Sequence, residues 1–246
     1  MNFANYEREL FSMADAPKLW REPINTIVIL DAGHGGLDAQ GKYTTAATTG
    51  KYFNHSDTTL NFHDIKGNSI FYEGVNNRIL ARKVRFYLMQ LGISVVTCYD
   101  NVADTSLLAR VNFANTIHTA NNRDSIFVSL HSNAGKGTGW EIFTTAGNTD
   151  SDTLASFIGL ELDKKQMPNG KQTQIRADYR DGDIDKEADF YVLRNTAMPA
   201  VLIEHDFFDT LEGAINLNDK AYQNFFCQNE AIGIYKYLLS QKGKTK

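Results

Sequence analysis

The sequence predicts an α/β fold: one mostly parallel, twisted sheet of about six strands with helices on both faces, in a single domain over residues 1–246. Three observations predict it. Short apolar runs rich in β-branched residues alternate with amphipathic helical stretches, the pattern of a sheet built from crossover units. The runs Thr26–Asp31 and Ser125–Leu130 are nearly continuous in apolar residues, as in strands covered on both faces. No internal repeat or linker-like stretch divides the chain.

The elements follow in order. Residues 1–22 read as a helical lead-in, and Pro23 marks entry to the first strand, Thr26–Asp31, which Gly33, Gly35 and Gly36 end. Residues 37–72 form a long polar insertion with short pairings expected at Lys51–Phe53 and Ser69–Tyr72; a connection of that length in a compact domain usually serves a site. From Glu73 to Leu91, Val75, Ile79, Val84, Leu88 and Leu91 recur at helical spacing, and Gly92 stops the helix. Ile93–Thr97 is the second strand. Asp104 or Thr105 caps a helix to about Ala120, with Leu108, Val111 and Ile117 on one face. Strands follow at Ser125–Leu130 and Gly139–Thr145, then a helix at Ser151–Lys165 and a charged loop at Lys171–Asp189. Strands at Phe190–Leu193 and Ala200–Glu204 and helices near Leu211–Leu217 and Asp219–Leu239 complete the pattern.

Composition excludes several classes. The formal net charge is −4, and the main basic cluster is the three lysines of the tail, so nucleic acid is not the expected partner. No apolar run approaches the roughly 20 residues of a membrane span. The first residues lack a basic start followed by an apolar stretch, so no signal peptide is read there; the protein is either made for the cytoplasm or exported with a leader absent from this chain. Cys98 and Cys227 are too few and too far apart for a disulfide framework or thiolate metal site. A monomer is expected.

The chemistry concentrates at strand and helix ends. His34 sits on the glycine-rich turn after the first strand, Glu73 opens a helix, and His131 ends the strand at 125–131. Two imidazoles and a carboxylate are the protein half of an open zinc site, which leaves a position for water. Glu204, ending the apolar run 200–204, suits a general base, because an unpaired interior carboxylate is otherwise costly. His34, His131 and Glu204 fall at the carboxyl ends of strands, where open α/β sheets bind ligands. Each residue alone has an ordinary explanation: a turn cap, a helix-dipole partner, a strand-end hydrogen bond. Together they read as a one-zinc hydrolase. Arg194, Glu141 and Asn133 are candidate substrate contacts, and Asp31 is a candidate for orienting a ligand histidine. His55, Asp57, His63 and Asp64 are weaker metal candidates. Strand alternation turns His205 away from the site.

These residues stand in motifs that resemble, in order and over residues 26–238, the zinc-dependent N-acetylmuramoyl-L-alanine amidases of cell-wall hydrolases and phage endolysins. The motifs are IVILDAGHGG, YEGVNNR, SLLARVNFAN, FVSLHSNA, GWEIF and VLRNTAMPAVLIE. The resemblance implies zinc on His34, Glu73 and His131, with Glu204 as catalytic acid/base. It also implies action on the cell wall, at the peptidoglycan amide joining the lactyl group of N-acetylmuramic acid to L-alanine. The sequence departs from the family at Ala32, in the length of the insertion, and in His205–Phe208 after the glutamate; these changes bear on peptide preference. Two other readings are a zinc peptidase that shortens stem peptides and a non-catalytic wall-binding module. All four site residues are present, against the second.

Overall fold

A computed structural model describes residues 24–56, 62, 69–180 and 182–242. The lead-in at 1–22, and Asp57, His63 and Asp64, lie outside the described residues. In chain order the elements are β1 (Ile27–Ala32), β2 (Tyr52–Asn54), β3 (Ile70–Tyr72), α1 (Glu73–Gln90), β4 (Ser94–Thr97), α2 (Leu107–Ala120) and β5 (Ser125–Asn133). There follow β6 (Glu141–Thr144), α3 (Asp150–Leu162), β7 (Lys186–Glu187), α4 (Tyr191–Asn195), β8 (Ala200–Phe207), α5 (Leu211–Asn218) and α6 (Lys220–Gln241).

Six strands form one sheet in the order β4-β1-β5-β8-β6-β7, all parallel except where β6 meets β8. The α/β expectation of a mostly parallel sheet therefore stands. Strand parity builds two cores. Val28, Leu30, Ile126, Val128, Val201 and Ile203 face one way, packing with α1, α3 and α6. Ile29, Phe127, Ala200 and Leu202 face the other, against α2 and α4. The expected pairing inside the insertion is present as β2 against β3. Phe71 of that hairpin stacks on Phe208 at 5.9 Å, and His55 shares a hydrogen bond with the Phe208 carbonyl at 3.0 Å. The hairpin is anchored to the body of the protein, and His55 is a packing residue.

Three local expectations are corrected. Phe190–Leu193 is not a strand: Phe190 is the extended N-cap of α4, and the sheet edge comes from Lys186–Glu187. Val192 and Leu193 both bury in the α2-side core, which adjacent helical residues achieve and alternating strand residues do not. The α2 cap is Ser106, whose Oγ accepts from Ala109 N, and Leu108 is 57% exposed; the packed face is Val111, Ala114 and His118. In α1 the deeply buried positions are Leu80, Ala81, Val84 and Leu88, while Val75 and Ile79 are half-buried.

Candidate metal centre and active-site cleft

Strand parity sets the site as it sets the core. Asp31, Ser129, His131 and Glu204 continue the series that faces α2, and β5 pairs with β8 so that His131 stands beside Glu204. Glu73 arrives from the first residue of α1 and is fully buried. His34 lies one turn past β1 with φ +64°, a left-handed conformation that costs a non-glycine residue energy and is held only where surroundings enforce it.

Two buried arginines enforce it. Arg110 of α2 pairs with Asp31 and donates from Nη1 to Ala32 O (2.6 Å) and from Nη2 to His34 O (3.1 Å). Arg78 of α1 donates to His34 O (2.8 Å) and Gly74 O (2.9 Å). Asn77 Nδ2 donates to Gly33 O at 3.2 Å. Asp31 therefore acts through Arg110 on the backbone of the turn, and not on a ligand imidazole. Two glycines are sterically required. A Cβ on Gly33 would meet the His131 ring at 2.0 Å, and one on Gly74 would meet Gly35 O at 2.1 Å.

The result is a tight triad. Glu73 Oε1 lies 3.0 Å from His131 Nδ1 and 3.2 Å from His34 Nε2. Tetrahedral ligands at zinc–ligand distances of about 2.0–2.1 Å lie about 3.3 Å apart, close to both contacts. His34 Nε2, Glu73 Oε2 and Glu204 Oε2 are buried without a hydrogen-bond partner. Unpaired lone-pair atoms of this kind are what a cation would satisfy, so the residues fit zinc. Burial lowers the His131 pKa, outweighing the pull of Glu73, and so favours the neutral, ligating imidazole. Burial works against charged Glu73, but hydrogen bonding and charge from His131 and His34 outweigh it and hold the carboxyl well below its usual range. Glu204 goes the other way: burial first, then the negative charge of Glu73, push it well above the usual carboxylate range, and Lys51 partly offsets them.

His34, His131 and Glu204 open into a cleft of about 610 Å³, with Glu73 buried behind them, lined by Ala46 and Lys51 on one side and by Leu107, Phe190, Tyr191 and Val192 on the other. A larger cavity of about 770 Å³ lies around His118, Pro199 and Tyr237, away from these ligands.

The candidate substrate contacts separate. Glu141 stands opposite Glu204 across the β6–β8 pair, but its carboxylate is taken by Arg176 Nε (2.6 Å), Lys186 Nζ (2.5 Å) and Asn133 Nδ2 (2.6 Å). Glu141 and Asn133 thus support the ground beside Glu204. Arg194 pairs with Asp189 at 2.5 Å and its guanidinium lies over the ring of Tyr191, at 5.7 Å from the centroid, beside the cleft wall and not among the residues that line it. Lys51 went unnoticed in the sequence. Its Nζ lies 3.3 Å from Glu73 Oε2, and its carbonyl accepts from Glu73 N at 3.1 Å. The available signal was a basic residue at the foot of the expected Lys51–Phe53 pairing.

The sequence model of the N-acetylmuramoyl-L-alanine amidase family matches residues 28–236, nearly all of the described fold. The chain belongs to this family. Among relatives, the N-acetylmuramoyl-L-alanine amidase CwlM of Bacillus licheniformis is 28% identical over 208 residues, 84% of this chain and 66% of the relative. The endolysin of Bacillus phage SPP1 is 27% identical over 221 residues, 89% of this chain and 68% of the endolysin. The chain thus spans about two thirds of the length of these relatives. Among solved structures, an N-acetylmuramoyl-L-alanine amidase from Clostridium difficile 630 superposes with a TM-score of 0.61 at 27% identity, covering 89% of this chain and 98% of that one. The catalytic domain of CwlV from Bacillus (Paenibacillus) polymyxa var. colistinus gives 0.60 at 25%, covering 87% and 98%. This amidase-family chain has no helix, among the described residues, long and apolar enough to cross a membrane.

Proposed function

We propose that the protein is a one-zinc amidase that hydrolyses the bond between N-acetylmuramic acid and L-alanine in peptidoglycan, with zinc held by His34, Glu73 and His131. The observation that carries the reading is the meeting of this triad with a free Glu204 carboxyl oxygen in one cleft of an amidase-family fold. When bound, zinc supplies Lewis-acid polarisation of the amide carbonyl and a water made acidic enough to react near neutral pH.

The protein supplies the rest. Glu204 Oε2, free of hydrogen-bond partners, takes the proton of the attacking water and returns it to the leaving amine. A carboxylate pushed upward by burial takes and holds a proton more readily than a solvated one, and a nearby cation draws it back toward the working range in which it can hand that proton to an amine. Lys51 balances the negative charge that Glu73 and Glu204 share. Leu107, Phe190, Tyr191 and Val192 form an apolar wall that limits water beside the scissile bond. Asn133 and Glu141 steady Glu204 from the neighbouring strands.

The test is digestion of purified sacculi by the zinc-loaded protein and by Glu204→Ala, read by mass spectrometry. The expected result is free stem peptides with intact N-terminal L-alanine from the wild type, and none from a variant that still binds one zinc. Shortened stems still attached to sugar would replace the amidase with a peptidase. Full activity in Glu204→Ala would remove Glu204 from the chemistry.

A further inference from the structure

A second cluster of carboxylates lies apart from the cleft, where the charged loop meets α3. Asp152 comes from the first turn of α3, and Asp183 and Asp185 from the stretch just before β7, with ligand atoms of all three within 4.8 Å of one another. Asp183 and Asp185 are two residues apart, and Ile184 between them packs on α3, where a Cβ on Gly159 would meet it at 1.6 Å. That contact fixes the loop against the helix.

Acidic clusters are common on surfaces, but this one is interior. Asp185 is 2% exposed and Asp152 8%. Asp185 Oδ2 accepts from Thr144 Oγ1 at 2.5 Å, whereas Asp185 Oδ1 is buried with no hydrogen-bond partner. Asp183 Oδ1 is likewise buried and unpartnered, and the two carboxyls come within hydrogen-bonding range of each other. Asp152 uses one oxygen to cap Thr149 N. Among the described residues, no lysine, arginine or histidine forms an ion pair with any of the three, and the adjacent Lys186 is committed to Glu141. Ionised carboxylates buried without cations are expensive, so this cluster either keeps a proton or holds a cation.

We propose that Asp152, Asp183 and Asp185 bind one calcium ion, at a site separate from the His34 centre. The donors are all carboxylate oxygen, with no imidazole or thiolate, which selects a hard cation over zinc. A protein cage of carboxylates suits calcium, which takes such oxygens at about 2.3–2.6 Å in a flexible sphere, better than magnesium, which dehydrates reluctantly and keeps several of its waters. The ion would tie the 171–189 loop to α3 and to Thr144 at the end of β6. That loop leads into Phe190 and Tyr191, which wall the cleft, so calcium would brace one side of it. The inference does not depend on the amidase reading.

The experiment is thermal unfolding of the zinc-loaded full chain after treatment with a calcium-selective chelator, titrated with calcium chloride or magnesium chloride, alongside calorimetric calcium binding. A midpoint rise of about 5–10 °C at a hundredfold excess over Kd is expected, saturating at one calcium per chain. Magnesium should give a smaller rise. Asp183→Asn and Asp185→Asn should lose the calcium response, yet without calcium unfold no earlier than the wild type, because each removes a repelling charge. Asp183 is partly exposed, so its variant tests the site even if Asp185→Asn does not fold. His34→Ala should keep the calcium response. No calcium binding by the wild type, or a response retained in Asp183→Asn, would overturn the site in favour of a carboxyl pair sharing a proton. A larger response to magnesium would overturn the choice of calcium.

Discussion

Two histidine–glutamate pairs sit back to back across the β5–β8 junction and have opposite characters. His131 pairs with Glu73 at 3.0 Å beside the cleft, and its side chain keeps 15% of its exposure. His205 pairs with Glu230 of α6 at 2.7 Å, with both side chains fully buried. They touch: His205 Nδ1 donates to the backbone oxygen of His131 at 2.8 Å. One-residue parity along β8 separates them, sending Glu204 to the α2 side and His205 to the α6 side. The lesson is that the same two residue types open on a cleft beside a third carboxylate in one pair and are sealed within the core in the other.

Substituting each pair is the strongest way to break that comparison. His131→Ala and His34→Ala are expected to lose bound zinc and to reduce amide hydrolysis by about a thousandfold or more, while His205→Ala keeps zinc at one per chain. Elemental analysis beside an activity assay decides it, and equal zinc loss in all three would erase the distinction. Chelation of the wild type should abolish activity, and added zinc should restore it.

The next effect is on stability. His205→Ala leaves Glu230 buried without its partner and should cost about 3–5 kcal/mol in urea unfolding, whereas His34→Ala in the zinc-free protein should cost far less. A small loss for His205→Ala would mean that the sealed pair contributes little to stability. Its pH dependence sharpens the point. Burial opposes protonation of His205, but the charge and hydrogen bond of Glu230 outweigh it and raise the pKa. The pair's contribution is therefore fully present below the unfolded histidine pKa of about 6.5 and is lost as pH rises through the higher folded value. The stability gap between wild type and His205→Gln should narrow from pH 6 to pH 9; a widening gap would reverse the assignment.

Smaller effects test the supports around the cleft-side pair. Arg110→Met strands Asp31 and frees the His34 turn, so zinc affinity should fall about 10–100-fold, as read by competition with a chromogenic chelator. Unchanged affinity would show that the turn holds its strained shape without Arg110. Lys51→Met should lower turnover by less than about tenfold while zinc is retained, since it adjusts charge around Glu73 and Glu204 without touching the metal position. A complete loss of activity would make Lys51 a catalytic residue.

Much of this was legible in one dimension. Apolar runs at 26–31, 125–130 and 200–204 named the central strands because burial on both faces demands continuous hydrophobicity. His34, His131 and Glu204 follow or end such runs and Glu73 opens a helix, so each had an ordinary explanation alone, and only the four together, in motif order, pointed to one site. The reading failed at Phe190–Leu193, where an apolar run too short to show a period folded as a helix.

By itself, then, the sequence determined the kinds of element, the residues able to hold a metal, and the family. These are local properties, written in periodicity and motif. Tertiary structure alone decided that β5 lies beside β8, so that His131 and Glu204 stand in register, and that Lys51 reaches Glu73 from the insertion. It likewise decided that His205 finds Glu230, and that three aspartates from α3 and a distant loop share one buried space. Each of these joins residues far apart in the chain, and strand order and helix docking are set by the burial of whole faces, which no short window of sequence contains.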